Sequence, residues 1–133
     1  MVIDTSAIMA AIAGEPDEAR YRDALKTAET RLLSAVTMLE AQIVLFARLG
    51  PAAVTAFHEL IDQAPIIIVP FDAALADAAF SAFRTYGKGQ GHPAQLNIID
   101  CAAYALAHVR GLPLLFKGDD FGRTDIIPAL ASE

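Results

Sequence analysis

Acidic side chains stand at four places where apolar sequence surrounds them. Asp4 follows Val2-Ile3, and Glu40 interrupts Ala35-Val-Thr-Met-Leu-Glu-Ala-Gln-Ile-Val-Leu-Phe46. Asp100 lies inside Leu96-Asn-Ile-Ile-Asp-Cys-Ala-Ala-Tyr104, and Asp119-Asp120 follow Leu114-Leu-Phe116. A lone carboxylate is costly to bury unless it is paired or neutralised, so each position needs a reason. Ordinary reasons exist. Asp4 suits the N-cap of a following helix, Asp100 a first helical turn, and Asp119 or Asp120 a Gly-Asp-Asp turn. Glu40 lies too deep in its helix to cap it, which leaves an exposed position or a partner such as Arg48 or Lys26.

Jointly the four positions point to metal chemistry. In an open parallel sheet, ligands bind beyond the carboxyl ends of the strands, and Asp4 and Asp119 each come just after a strand-like run. Acids crowded there repel one another, and a hard divalent cation neutralises them. Oxygen ligands without a His or Cys set favour Mg²⁺, with Mn²⁺ able to substitute, over zinc. Such a site suits phosphodiester hydrolysis, one ion acidifying a water and a second stabilising the leaving oxygen. Two divalent ions would bring the formal charge from −6 to −2, making the cleft attractive to phosphate.

Around these acids stand supporting candidates. Asn97, three positions before Asp100, either orients it or caps the helix. Thr5 and Ser6 either hydrogen-bond a carboxylate or cap the helix after Asp4. Asp120 is the rival of Asp119 for the fourth position. Arg84, Lys88, His92, Lys117 and Arg123 either hold substrate phosphates or form a solvated face.

The elements that must position these residues read as a short strand at Val2-Ile3, a helix over Thr5–Ala13 stopped by Gly14, and a second from Pro16 to Ala28. Leu32-Leu33 is a weaker strand, followed by helices over Ser34–Leu49 and Pro51–Gln63. Ile66–Val69 is the clearest strand. Then come a helix over Asp72–Tyr86, the glycine-rich loop Gly87–Pro93, a helix over Asn97–Arg110, a strand at Leu114–Phe116 and an extended piece at Ile126-Ile127. Short strands alternating with helices predict an α/β fold around a small, mostly parallel sheet.

Composition narrows the class. The 133 residues are 55% hydrophobic and 20% charged, which fits one compact domain over 1–133 and excludes intrinsic disorder. The single cysteine, Cys101, excludes an internal disulfide framework and a multi-cysteine zinc site, and fits a reducing, cytoplasmic setting. Nothing reads as a signal peptide or a membrane span. An acidic balance argues against a broad basic surface gripping nucleic acid, but not against a small metal-dependent phosphate site.

Read in series, Val2-Ile-Asp-Thr-Ser-Ala7, the mid-helix Glu40, Leu96-Asn-Ile-Ile-Asp-Cys-Ala-Ala-Tyr-Ala-Leu-Ala107 and Leu114-Leu-Phe-Lys-Gly-Asp-Asp-Phe-Gly-Arg-Thr-Asp125 resemble a PIN-domain ribonuclease of the VapC toxin type. The resemblance spans essentially the whole chain. It implies a three-layer α/β/α sandwich, with Asp4, Glu40, Asp100 and Asp119 as catalytic and metal-binding acids. It further implies a VapB-like antitoxin whose tail covers the cleft, a toxin homodimer, and cleavage of structured RNA such as tRNA or rRNA. In-line attack by a metal-activated water would leave 5′-phosphate and 3′-hydroxyl ends. Two rival readings differ in kind. One is a phosphatase with Asp4 as nucleophile, although that chemistry wants a second acid where Ser6 stands. The other is a domain that binds RNA or protein without cutting.

Overall fold

A computed structural model describes residues 1–131. Its elements are β1 (Val2–Ile3), α1 (Thr5–Ile12), α2 (Glu18–Thr27), β2 (Leu32–Ser34), α3 (Ala35–Leu49), α4 (Pro51–Gln63), β3 (Ile67–Val69), α5 (Ala73–Tyr86), α6 (Ile98–Arg110) and β4 (Leu114–Leu115), closed by a 3₁₀ turn at Phe121–Arg123. The predicted domain over 1–133 thus has its last two positions outside the described residues.

The strands form one sheet in the order β3-β2-β1-β4, every neighbouring pair parallel. Alternation along each strand sends side chains to opposite faces. Ile3, Leu33 and Leu115 enter a core with α1 to α4, while Val2, Leu32 and Leu114 enter a second core with α5 and α6. Both faces are therefore covered, as the expected three-layer α/β/α sandwich requires. The strands are short, but β1, β2 and β4 are buried throughout, which gives register a strong hydrophobic reason, while the edge strand β3 leaves Ile67 exposed.

Several boundaries differ from the sequence reading, each for a local reason. Helix α2 begins at Glu18 rather than Pro16, with Asp17 as its N-cap residue. Ile66 stays outside β3 because its amide closes a turn onto the Ile61 carbonyl at 2.9 Å. The extended piece near Ile126-Ile127 is a single bridge: the Leu114 amide donates to the Ile127 carbonyl and Leu114 pairs with Pro128. The Arg31 guanidinium donates to the carbonyls of Leu25, Lys26 and Ala28, closing the end of α2.

The segment between α5 and α6 is tightly fixed, which sets where α6 starts. Lys88 donates its amide to the Leu96 carbonyl and Leu96 donates to that of Tyr86, each at 2.9 Å. The Tyr86 ring meets His92 edge-on at 4.8 Å and Tyr104 at 5.5 Å, and Tyr104 stacks on His108 at 5.6 Å. Tyr104 donates its hydroxyl to Asp125, which ties the C-terminal segment to the same cluster. At Gly87 a Cβ would lie 2.5 Å from the Phe83 carbonyl oxygen and against its ring, so only glycine fits this approach.

Candidate active site

The parallel pairing of β1 with β4 brings Asp4 and the segment after Leu115 to one edge of the sheet. The Asp4 amide donates to the Leu115 carbonyl at 2.9 Å, sealing that corner. Above the edge lies a cavity of about 410 Å³ whose lining includes Asp4, Thr5, Ser6, Glu15, Glu40 and Asp100. Val44, Arg48 and Lys117 complete its polar and apolar walls together with Met9 and Ala10. Three of the four predicted acids, separated by up to 96 positions, thus share one concavity.

Each of the two aspartates is tethered by one oxygen. Asp4 is the N-cap of α1 and only 3% exposed. Its Oδ2 accepts from the Ser6 amide at 3.0 Å and from the Ser6 hydroxyl at 2.6 Å. The Ser6 oxygen itself accepts from the Lys117 amide at 2.9 Å, which fixes its own proton toward Asp4. Asp4 Oδ1 is buried and meets no donor among the described residues. Asp100 is bound into a capping box: its amide donates to Asn97 Oδ1 at 2.8 Å, and its Oδ2 accepts from the Asn97 amide at 3.0 Å. Asn97 is thus both cap and orienting group.

Electrostatics bind the acids into one group. Burial pushes Asp4 above the usual carboxylate range, the Ser6 hydrogen bonds oppose that, and the Glu40 charge adds to it. Asp100 is pushed up to about 6, first by burial and then by the charges of Asp4, Glu40 and Asp120. Asp120 therefore belongs to the field at Asp100. Asp119 and Asp120 both lie on the exposed turn after β4, outside the cavity lining, and of the two it is the charge of Asp120 that acts on Asp100. Glu40, partly buried at the cavity wall, is in no ion pair among the described residues, so its expected partners Arg48 and Lys26 do not explain it.

The donor set fits a divalent cation. It consists of oxygens alone, one carboxylate oxygen is buried without a partner, and the acids raise one another's pKa for want of positive charge. Among the described residues no three acidic, His or Cys side chains close a cage by themselves. Mg²⁺ does not need one, since it keeps several waters and takes one or two carboxylates plus substrate phosphates.

The predicted phosphate binders divide. Lys117 lines the cavity, but its ammonium is paired with Glu15 and with Asp17 at 3.0 Å. Arg123 donates to the Pro93 carbonyl at 3.2 Å, and His92 accepts from the Ala94 amide at 3.0 Å. Those two, with Arg84 and Lys88 on exposed backbone, lie outside the cavity lining. Sequence reasoning missed Arg48 and Glu15 as cavity residues. Arg48 was legible as the i+8 neighbour of Glu40 on the same helical face, whereas Glu15 owes its place to the turn at Gly14.

Comparison with known proteins gives one consistent answer. The PIN domain family model matches residues 1–127. Ribonuclease VapC28 of Mycobacterium tuberculosis is 46% identical over 130 residues, covering 98% of each chain. Among solved structures, the Mycobacterium tuberculosis toxin VapC20, described as cleaving the sarcin-ricin loop, superposes with a TM-score of 0.78 at 16% identity over 95% of each chain. A toxin–antitoxin complex from Klebsiella pneumoniae gives a TM-score of 0.70 at 15% identity, covering 98% of this chain and 95% of the other.

Proposed function

We propose, from the premise that this chain belongs to the PIN-domain family and is a relative of the VapC ribonucleases, that it is a divalent-metal-dependent endoribonuclease and the toxin of a toxin–antitoxin pair. The observation that carries the reading is the shared cavity of Asp4, Glu40 and Asp100, with Asp4 Oδ1 buried and unpartnered. Asp4 and Asp100 would hold Mg²⁺, or Mn²⁺ in its place, with Glu40 and Asp120 adding charge. When bound, the ion supplies Lewis acidity toward phosphate and lowers the pKa of water.

The chain's own contribution is orientation. Ser6 occupies Asp4 Oδ2 with two donors and so leaves Oδ1 to face the ion. Asn97 does the same for one oxygen of Asp100. Glu40, in no ion pair among the described residues, is the group suited to accept a proton from the attacking water. Aiming carboxylates before substrate arrives is how a rigid scaffold lowers the reorganisation needed during reaction.

The partners follow from the same premise. The substrate is RNA, in single-stranded or loop form that a narrow cleft can admit. A VapB-like antitoxin blocks the cleft, the toxin pairs with a second copy, and the working compartment is the cytoplasm. No helix among the described residues is long and apolar enough to cross a membrane. A cleavage assay on end-labelled RNA with Mn²⁺ tests the activity. Wild type is expected to cut and to leave 5′-phosphates; Asp4→Asn and Asp100→Asn should each lose at least about a hundredfold. Full cleavage by both variants in EDTA would overturn the proposal.

A further inference from the structure

The cavity is not acidic throughout. Glu40, Val44 and Arg48 all line it, spaced i, i+4 and i+8 along α3, so the concavity follows two turns of one helix. At 1.5 Å per residue the Glu40 and Arg48 backbones are about 12 Å apart, too far for the two to neutralise each other directly. One end of the groove is therefore anionic and gathers metal, and the other ends in a guanidinium.

Two cations line this groove, and they are not equivalent. Lys117 is committed to Glu15 and Asp17, whose hydrogen bonds raise its pKa and hold it in place. Arg48 is exposed and is in no ion pair among the described residues. A guanidinium is always charged, presents a planar fork of donors and matches phosphate oxygens in a bidentate way. The competing explanation is that Arg48 only complements the negative end of α3, whose last turn it occupies. That explanation accounts for its charge but not for its position on the Glu40 face.

We propose that Arg48 is the phosphate-anchoring residue of this cleft, gripping the RNA backbone at a phosphate flanking the one that is cut. The assignment rests on the ribonuclease reading and sharpens it: substrate would run along α3, with its scissile phosphate at the Asp4–Glu40–Asp100 end and its neighbour at Arg48. Lys117 acts instead as a tie between the α1–α2 turn and the segment after β4.

Binding and turnover separate the possibilities. Equilibrium binding of a fluorescent single-stranded RNA is measured from low to moderate salt, in the cleavage-disabled Asp100→Asn background, with and without Arg48→Ala or Arg48→Lys. Arg48→Ala is expected to weaken binding about tenfold at low salt and to lower the slope of log K against log salt by about 0.7, one phosphate contact on a single strand. Arg48→Lys should keep the slope and part of the affinity. In the otherwise wild-type enzyme, Arg48→Ala should raise KM while leaving kcat nearly unchanged, because a flanking contact is made equally in ground and transition states.

An unchanged slope and KM would overturn the assignment while cleavage by wild type left the ribonuclease reading standing. The same would follow if Arg48→Ala weakened only binding of an acidic protein segment. Absence of any metal-dependent cleavage by wild type would remove the reading itself, whatever Arg48 does.

Discussion

At the scale of single residues, the structural and chemical uses of an aspartate coincide here. Asp4 caps α1 and Asp100 closes the capping box of α6, so the ordinary explanations of both are correct. In each case the cap consumes one carboxylate oxygen, and for Asp4 the other is left buried without a donor. This arrangement is costly in the metal-free protein, and the cost has a pH signature. The unfolded carboxyl of Asp100 titrates near 3.8 and the folded one near 6. Between those values the native state binds more protons than the unfolded chain, so stability falls as pH rises and reaches its lower plateau above about pH 6. Asp4, also raised, adds to the same trend. Thermal melts in EDTA across this window should show wild type losing stability toward neutral pH, while Asp100→Asn shows a shallower loss and a higher melting temperature at pH 7. A wild-type curve that rises through the window would contradict the burial and repulsion assigned to Asp100. Added Mn²⁺ should reverse the neutral-pH loss in wild type and much less in the variant, since an ion that binds only the folded state stabilises it.

At the scale of elements, α6 decides whether Asp100 points correctly, and its start is specified by Asn97. Replacing Asn97 with Ala removes the acceptor for the Asp100 amide and should cost about 1 kcal/mol of stability. The backbone amide of residue 97 that holds Asp100 Oδ2 remains, but the helix start that aims it loosens, so Mn²⁺ binding should weaken by up to about tenfold. Asn97→Ser, which keeps a capping oxygen, should recover most of the stability in chemical denaturation, and Mn²⁺ affinity measured by calorimetry should recover with it. Equal metal affinity in all three proteins would show that the capping box serves the helix alone. This element was legible in the sequence because its signals are local: an Asn cap, an apolar helical run and a closing Gly111. The parallel pairing of β1 with β4 was legible only conditionally, since nothing within Val2-Ile3 or Leu114-Leu115 names its partner. Which of Asp119 and Asp120 sends its charge toward Asp100 was not legible. It depends on how the exposed turn after β4 leads into the 3₁₀ segment at Phe121, a matter of tertiary packing. The ion pairs of Lys117 were hidden for a similar reason. Its neutralising partners, Glu15 and Asp17, lie about 100 positions away in sequence.

At the scale of the whole molecule, several large apolar side chains among the described residues stand exposed. Phe80 is 63% and Ile98 78% exposed, and they flank a groove of about 410 Å³ lined by Phe71, Ala76, Ala79, Phe83 and Cys101. The lining is almost wholly apolar in character, and the protruding ring of Phe80 stands beside the concavity it could fill in another copy. A protrusion next to a matching pocket is what an isologous two-fold contact requires, because each copy then donates and receives the same group. Charge does not oppose this approach, since the groove's lining has no ionisable side chain except the Cys101 thiol, which burial and the Asp100 charge push up to about 11 and keep neutral. The groove also abuts the start of α6, so pairing there would cover Ile98 and stiffen the turn that holds Asn97 and Asp100. Light scattering should therefore report a particle of twice 14.1 kDa. Phe80→Glu should weaken self-association by about thirtyfold or more, as loss of a central aromatic anchor does. Phe80 is solvent-exposed in the single chain, so the variant should fold and melt close to wild type. A dimer of undiminished affinity in Phe80→Glu would place the contact elsewhere, with the exposed α3 stripe of Leu39, Ile43 and Phe46 as the next apolar face to test.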